Sequence, residues 1–238
     1  MKICVAVRTK DEEINIARFC ESYTWADKIL VADGGSRDDT IQIANSFKNV
    51  EVRNYDVFVE MQNGITRNPH GSHCNFLIDW AFIGESADWI IFDDCDCFPN
   101  KTVKEDARKI MTETQKNYIF VTRLFLWKNE GHFPALAQPL KAGNFEPSIW
   151  AWRNGTQLRF RSDRVSREES HQELAFSPQE NERLNLYPPY ALLHSPWQTD
   201  EMVEKKLKFY RESGQIPTML HPLEFGGSIE PLPEWAVL

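Results

Sequence analysis

Asp93, Asp94 and Asp96 follow the apolar run Trp89-Ile-Ile-Phe92 without a break, and carboxylates crowded at the end of a strand usually hold a cation. Mutual repulsion would otherwise push a pKa up and cost stability, so a divalent ion that prefers hard oxygen ligands is the natural partner. A diphosphate could then complete the ion's shell. A solvated acidic turn after a strand is the plainer reading of the same residues. A second chemical feature lies between Lys141 and Arg167. There Lys141, Arg153, Arg159, Arg161, Arg164 and Arg167 face only Glu146 and Asp163, a local charge of +4, with Trp150, Trp152 and Phe160 interleaved. Such a mix suits an anionic partner, either a phosphorylated glycan or lipid diphosphate head group, or a nucleic acid with a hydroxylated base that stacks on an aromatic. A solvated hairpin face with its aromatics in the core is the alternative.

These residues need elements to hold them. Ile3 to Val7 reads as a buried strand and Asp11 to Ser22 as a helix with acids in its first turn and Ile14, Ala17 and Phe19 facing inward. Lys28 to Asp33 is a second strand that ends in Gly34-Gly35-Ser36. A helix follows from about Asp38 to Phe47, with Ser36 or Asp38 as its cap. Val50 to Tyr55, Cys74 to Ile83, Trp89 to Phe92 and Val103 to Thr112 continue as strand, helix, strand and helix. This alternation predicts an α/β fold with a mostly parallel central sheet and helices on both faces, where ligands sit at the carboxyl ends of strands. Asp33 and Asp94 both fall at such ends.

Beyond about residue 117 the pattern changes. Tyr118 to Trp127 reads as an aromatic-rich strand and Lys128 to Pro147 as a loop. Ile149 to Trp152, the Asn154-Gly155 turn and Gln157 to Arg161 read as a hairpin, and Asp200 to Arg211 as an amphipathic helix. The organisation expected is a nucleotide-binding half over 1–115, an acceptor half over 116–214 in the same domain, and a Pro-rich tail over 215–238.

The chain of 238 residues is 42% hydrophobic with a net charge of -8. That suffices for one sizeable core and disfavours indiscriminate polyanion binding. Five cysteines without small-scaffold spacing fit reduced thiols. The opening Met1-Lys-Ile-Cys-Val-Ala-Val7 reads as a strand rather than a signal peptide, and no apolar segment approaches the roughly 20 residues needed to span a bilayer. A soluble, cytoplasmic protein is expected.

Three segments in order resemble a family 2 glycosyltransferase with the GT-A fold. Val5-Ala-Val-Arg-Thr-Lys-Asp-Glu-Glu13 resembles the family's first strand and Asn-Glu-Glu loop. Ile29-Leu-Val-Ala-Asp-Gly-Gly-Ser-Arg-Asp-Asp-Thr40 is close to its Val-Asp-Ser/Gly-Gly-Ser-Thr-Asp-Gly-Thr segment. Asp94-Cys95-Asp96 stands at its Asp-X-Asp motif. Ser170-His-Gln-Glu-Leu174, Leu193-His194 and Lys206-Leu-Lys-Phe-Tyr210 resemble the branch that includes lipopolysaccharide-core glucosyltransferases. Departures are visible. Arg8, Lys10 and Asp11 replace the usual Pro, aromatic and Asn, Arg37 replaces Thr, Cys97 stands where a third acid is common, and Gln172 occupies the position of the family's Glu.

The resemblance implies transfer of a hexosyl or pentosyl unit from a nucleotide-diphosphate sugar, a UDP-sugar first among them, to a hydroxyl of an anionic acceptor, with inversion. It implies that Glu12 and Asp33 contact ribose or base, with an exposed first-turn acid and a helix-capping turn residue as the respective alternatives. Asp96 would ligate Mn²⁺ or Mg²⁺, Asp94 the ion or the ribose, and His194 the ion or a phosphate. Lys206 would reach the diphosphate unless it lies on a solvated helix face. Glu173, with His171 second, would be the base. The acceptor is a phosphorylated glycan or lipid-linked saccharide, or a hydroxymethylated base in DNA.

Other readings compete. A nucleotidyltransferase uses a related sheet, but the loop Arg8 to Glu13 has no glycine to close backbone amides on a triphosphate. A zinc module would draw on His70, His73, Cys74, Cys95 and Cys97, at spacings that match no standard finger. A catalytically degenerate GT-A binding module is the remaining alternative, raised by Gln172.

Overall fold

Near-continuous apolar runs build the centre of the sheet. In the computed structural model, which describes residues 1–60, 66, 67, 69–126, 132–134, 147–161, 175, 177–195, 198–204, 208 and 229–236, the elements follow in order. They are β1 (Ile3–Thr9), α1 (Ile16–Ser22), β2 (Lys28–Asp33), α2 (Thr40–Ala44), β3 (Val50–Asn54), β4 (Val59–Glu60), β5 (Thr66–Arg67) and α3 (His70–Asp79), which runs on into a π-helical turn at Trp80–Gly84. Then come β6 (Trp89–Phe92), β7 (Cys97–Pro99), α4 (Lys101–Glu113), β8 (Tyr118–Phe125), β9 (His132–Pro134), β10 (Ser148–Arg153), β11 (Arg183–His194) and β12 (Ile229–Pro231). The sheet has eight strands in the order β3-β2-β1-β6-β10-β8-β11-β7. It is mixed and mostly parallel, with helices, as expected.

The chain divides into two units, and β8, β10 and β11 contribute residues to both. The first unit comprises Met1–Cys95, Arg108–Ile119 and Trp150–Leu184. There β1, β2, β3 and β6 pair in parallel, with Val5 opposite Ile29, Val31 opposite Val52 and Ala6 opposite Phe92. Ile3 to Val7, Ile29 to Ala32 and Ile90 to Ile91 are fully buried, as befits strands covered on both faces. An ionic cluster ties the amino ends of these strands. Lys2 and Lys28 bind the two oxygens of Glu85 at 2.9 and 2.7 Å, and Lys28 also pairs with Glu51. These lysines hold the Glu85 carboxyl down to about 2.

The second unit comprises Asp96–Ala107, Phe120–Ile149 and Asn185–Leu238. There β11 runs antiparallel to β7, with Leu193 opposite Phe98. Leu124, Leu126, Ala191, Leu193 and Ala236 form its core, on which Leu232 and Trp235 pack.

Several expectations need correction. The first helix begins at Ile16 rather than Asp11, because the amides of Asp11, Glu12 and Glu13 donate to side chains of the next loop. Ile14 accordingly points outward, 60% exposed. The second helix is shorter than expected and is entered from Asp39, which makes no side-chain cap, so neither Ser36 nor Asp38 is the cap; Asp38 instead accepts from the Thr40 amide at 3.0 Å. The helix expected from Cys74 already starts at His70. The anticipated hairpin does not form. β10 pairs antiparallel with β6, Ala151 opposite Ile91, and residues 157–161 contribute only an isolated bridge at Phe160. The twelve-residue β11 was hidden by Pro188 and Pro189, which argue against a strand interior. Part of the Pro-rich tail is also a strand, since Ile229–Pro231 pairs with His132–Pro134. Of the helix expected over Asp200 to Arg211, 200–204 and Lys208 are helical, and the rest lies outside the described residues.

Candidate functional site

At the carboxyl end of the first unit's strands, the loops after β1 and β2 are laced together. Asp11, in the left-handed region at φ 56°, donates its amide to Ser36 Oγ (2.8 Å) and accepts from the Arg37 amide through Oδ1 (2.8 Å). The Glu12 amide donates to Thr40 Oγ1 (2.7 Å) and the Glu13 amide to Asp38 Oδ2 (3.1 Å). Asp33, fully buried, takes four bonds. The Thr9 and Ser36 hydroxyls donate to Oδ1 at 3.0 and 2.5 Å, and the Gly35 and Ser36 amides to Oδ2 at 2.9 and 2.8 Å. Four bonds match the lone-pair sites of a carboxylate, so Asp33 holds the turn. Gly35 sits at φ 87°, which this turn needs and an L side chain resists. Glu12 is part-buried and accepts from Asn15 Nδ2 at 2.8 Å.

The acidic turn after β6 is anchored from below. Tyr23 Oη donates to Asp93 Oδ2 at 2.8 Å, Trp150 Nε1 donates to Tyr23 Oη at 3.3 Å, and the Asp94 amide donates to Asp93 Oδ1 at 3.1 Å. All three side chains are 0–1% exposed. Asp93 thus fixes the start of the turn, and Asp94 is left part-buried at the rim. Sequence reasoning noticed Asp93 only as one acid in a row, and missed Tyr23 and Trp150. The one usable signal was a charged residue closing a fully apolar strand, which implies a buried partner.

In the second unit Asp96 and His194 meet. Asp96 is 8% exposed, and its Oδ1 lies 3.0 Å from His194 Nε2. Two features place the pair: His194 stands opposite Cys97 in the β7–β11 ladder, and the Ser195 amide donates to the Asp96 carbonyl at 2.8 Å. The Phe125 ring lies 4.8 Å from the imidazole. His194 Nδ1 is buried and has no hydrogen-bond partner. Nδ1 lies at the far end of the ring from Asp96, so an ion shared by the pair would sit between Asp96 Oδ1 and His194 Nε2, and a carboxylate oxygen with an imidazole nitrogen beside it fits the divalent ion expected from the sequence. Among the described residues no three His, Cys, Asp or Glu side chains are grouped to hold a metal. A cation here would take the balance of its ligands from substrate phosphates and water, as Mg²⁺ commonly does.

His171, Glu173 and Lys206 lie outside the described residues, as do Lys141, Arg164 and Arg167. Of the described part of the basic stretch, Arg161 is exposed, and Arg153 and Arg159 have partners within the fold. Arg159 pairs with Asp79 at 2.8 Å, and Arg153 donates to the Thr114 carbonyl and covers the Trp89 ring. Trp150, Trp152 and Phe160 are core residues, at most 3% exposed. They present no face on which a base could stack, which corrects the aromatic part of the acceptor expectation. The zinc grouping also does not form. His73 Nε2 binds the Ala32 carbonyl at 3.0 Å and its ring stacks on Tyr55, while burial pushes the Cys74 thiol up to about 12.

No family model matches the chain, and no curated protein matches it. Among solved structures it is similar to the 1–349 fragment of S. aureus TarS, at 17% identity and TM-score 0.55, over 94% of this chain and 68% of that one. The same fragment bound to UDP-GlcNAc aligns at 16% identity and TM-score 0.54, over 85% and 61%. The UDP complex gives 16% and 0.54, over 94% and 68%. The chain spans 41% of a longer TarS structure. TarS is a glycosyltransferase of the GT-A type, and the likeness establishes that this chain has the GT-A fold.

Proposed function

We propose that the protein is a metal-dependent, inverting glycosyltransferase that moves a hexosyl or pentosyl unit from a nucleotide-diphosphate sugar, a UDP-sugar first among them, to a hydroxyl of an anionic acceptor. The observation that carries this reading is the Asp96–His194 pair, with Oδ1 and Nε2 3.0 Å apart, on a fold that in TarS binds UDP and UDP-GlcNAc. Asp96 and His194, with Asp94 two residues away in the chain, would hold Mn²⁺ or Mg²⁺. Such an ion neutralises charge building on a leaving diphosphate. Glu12 would meet the ribose or base above the turn that Asp33 holds, and Lys206 the diphosphate. Glu173, or else His171, would take the proton from the acceptor hydroxyl as that oxygen bonds to the anomeric carbon. The bond to the diphosphate breaks on the opposite face, which inverts configuration.

For the acceptor, a phosphorylated glycan or lipid-linked saccharide of the kind used by the lipopolysaccharide-core branch is preferred over a hydroxymethylated base in DNA, because the aromatics proposed for base stacking are buried. Five free, buried cysteines support a reducing compartment such as the cytoplasm. No helix among the described residues is long and apolar enough to cross a membrane.

The test is a thermal-shift screen of UDP-, GDP-, CMP- and dTDP-sugars with and without Mn²⁺, on wild type and Asp96→Ala. A metal-dependent rise with one nucleotide class, lost in the variant, is expected. No shift with any donor on folded protein would favour a catalytically degenerate binding module instead.

A further inference from the structure

Arg8 stands at the carboxyl end of β1, opposite Ala32 in the parallel ladder and one residue before Thr9, whose hydroxyl donates to Asp33. The family pattern resembled here has an uncharged proline at this position. The side chain is part-buried and its Nε is sealed from solvent without a hydrogen-bond partner. No hydrogen bond, ion pair or ring contact to the guanidinium is made by any described residue. The fork thus keeps one unsatisfied donor inside and turns its two Nη groups toward solvent, where an anion can reach them.

Asp94 acts on the same Cys74 thiol as Arg8, but no described carboxylate pairs with the guanidinium. Arg8 faces His73 and Cys74 of α3, and both feel its charge, but burial keeps the imidazole and the thiol neutral. The oxygens of Asp33 are occupied by Thr9, Gly35 and Ser36. Asp93 is bound by Tyr23 and by the Asp94 amide. A fixed positive charge at a rim otherwise lined by carboxylates selects for a ligand that brings its own negative oxygen, and arginine's planar fork suits phosphate and carboxylate alike.

We propose that Arg8 is a donor-recognition residue that pairs with an anionic oxygen of the nucleotide sugar, either on its diphosphate or on the carboxylate of a uronic acid unit. This rests on the donor site proposed above.

The experiment is calorimetric titration of wild type, Arg8→Met and Arg8→Lys with uridine, UDP, UDP-glucose and UDP-glucuronate, each with Mn²⁺. If the partner is the diphosphate, Arg8→Met weakens UDP and both sugar donors by roughly ten- to a hundredfold, leaves uridine within about twofold, and Arg8→Lys recovers part of the loss. If the partner is a uronate, only UDP-glucuronate weakens. Equal loss for uridine and UDP, or no loss for any of the four, overturns the proposal. The ligand-free melting temperature of Arg8→Met should stay close to that of wild type, because the guanidinium makes no hydrogen bond within the described fold. A marked fall would assign the guanidinium to the fold and overturn the proposal. Wild type that binds none of the four would overturn the UDP-donor reading as well, an outcome distinct from wild type and variant binding alike.

Discussion

His194 Nε2 lies 3.0 Å from Asp96 Oδ1, and the other ring nitrogen of His194 is buried without a partner. Nδ1 faces away from Asp96, so an ion held by both residues would sit between Nε2 and Oδ1. His194→Ala is expected to lower Mn²⁺ affinity, measured calorimetrically with UDP present, by roughly ten- to a hundredfold. Asp96→Ala should lower turnover about a hundredfold or more. Unchanged Mn²⁺ affinity in both variants would remove the pair from the metal site.

Tyr23 and Asp93 make a buried bond of 2.8 Å beneath the acidic turn. Tyr23→Phe keeps the ring packed against Phe19 but deprives a buried carboxylate and the Trp150 indole of a partner. A loss of about 1–3 kcal/mol in urea unfolding is expected. Combining Tyr23→Phe with Asp93→Leu should cost less than the sum of the single changes, and strict additivity would show that the two residues are not coupled.

Asp33 takes four hydrogen bonds from the turn it begins. Asp33→Ala strands the buried Thr9 hydroxyl, while the Gly35 and Ser36 donors lie nearer solvent, and its melting temperature should drop by more than that of Asp11→Ala at the exposed edge of the same lacing. A loss of about 1–3 kcal/mol follows from the one buried donor left without a partner. A near-neutral Asp33→Ala would mean that the turn stands without its carboxylate.

Stability should fall with acid in two stages. Burial, and then the Arg8 charge, hold the His73 imidazole down to about 3 from an ordinary 6.5. The unfolded chain therefore binds the extra proton first, and stability present above about 6.5 is lost as pH falls toward 3. Lys28 and then Lys2 hold the Glu85 carboxyl at about 2 against an ordinary 4.5, so its contribution is lost as pH falls from about 4.5 toward 2. His73→Gln should flatten the first stage and Glu85→Gln the second, read from melting temperatures between pH 3 and 8. Profiles parallel to wild type would contradict both assignments.

The order of elements in the first unit was legible because the apolar runs of β1, β2 and β6 mark buried parallel strands whatever they pair with. The rim itself was legible because Asp33 and Asp94 follow those runs directly. What only the tertiary structure decided is which groups answer which. Asp33 turned inward because Thr9 is its register partner across the ladder, a fact of strand pairing that no local spacing encodes. Tyr23 lies 70 residues from Asp93, and His194 reaches Asp96 through β11, a strand whose two prolines conceal it. The basic stretch looked like a surface because its charges alternate with aromatics. The sheet took the aromatics into the core and paired Arg159 with Asp79. Periodicity reports which side of an element is apolar. Which polar groups meet depends on how distant strands come into register, and that is settled only when the chain folds.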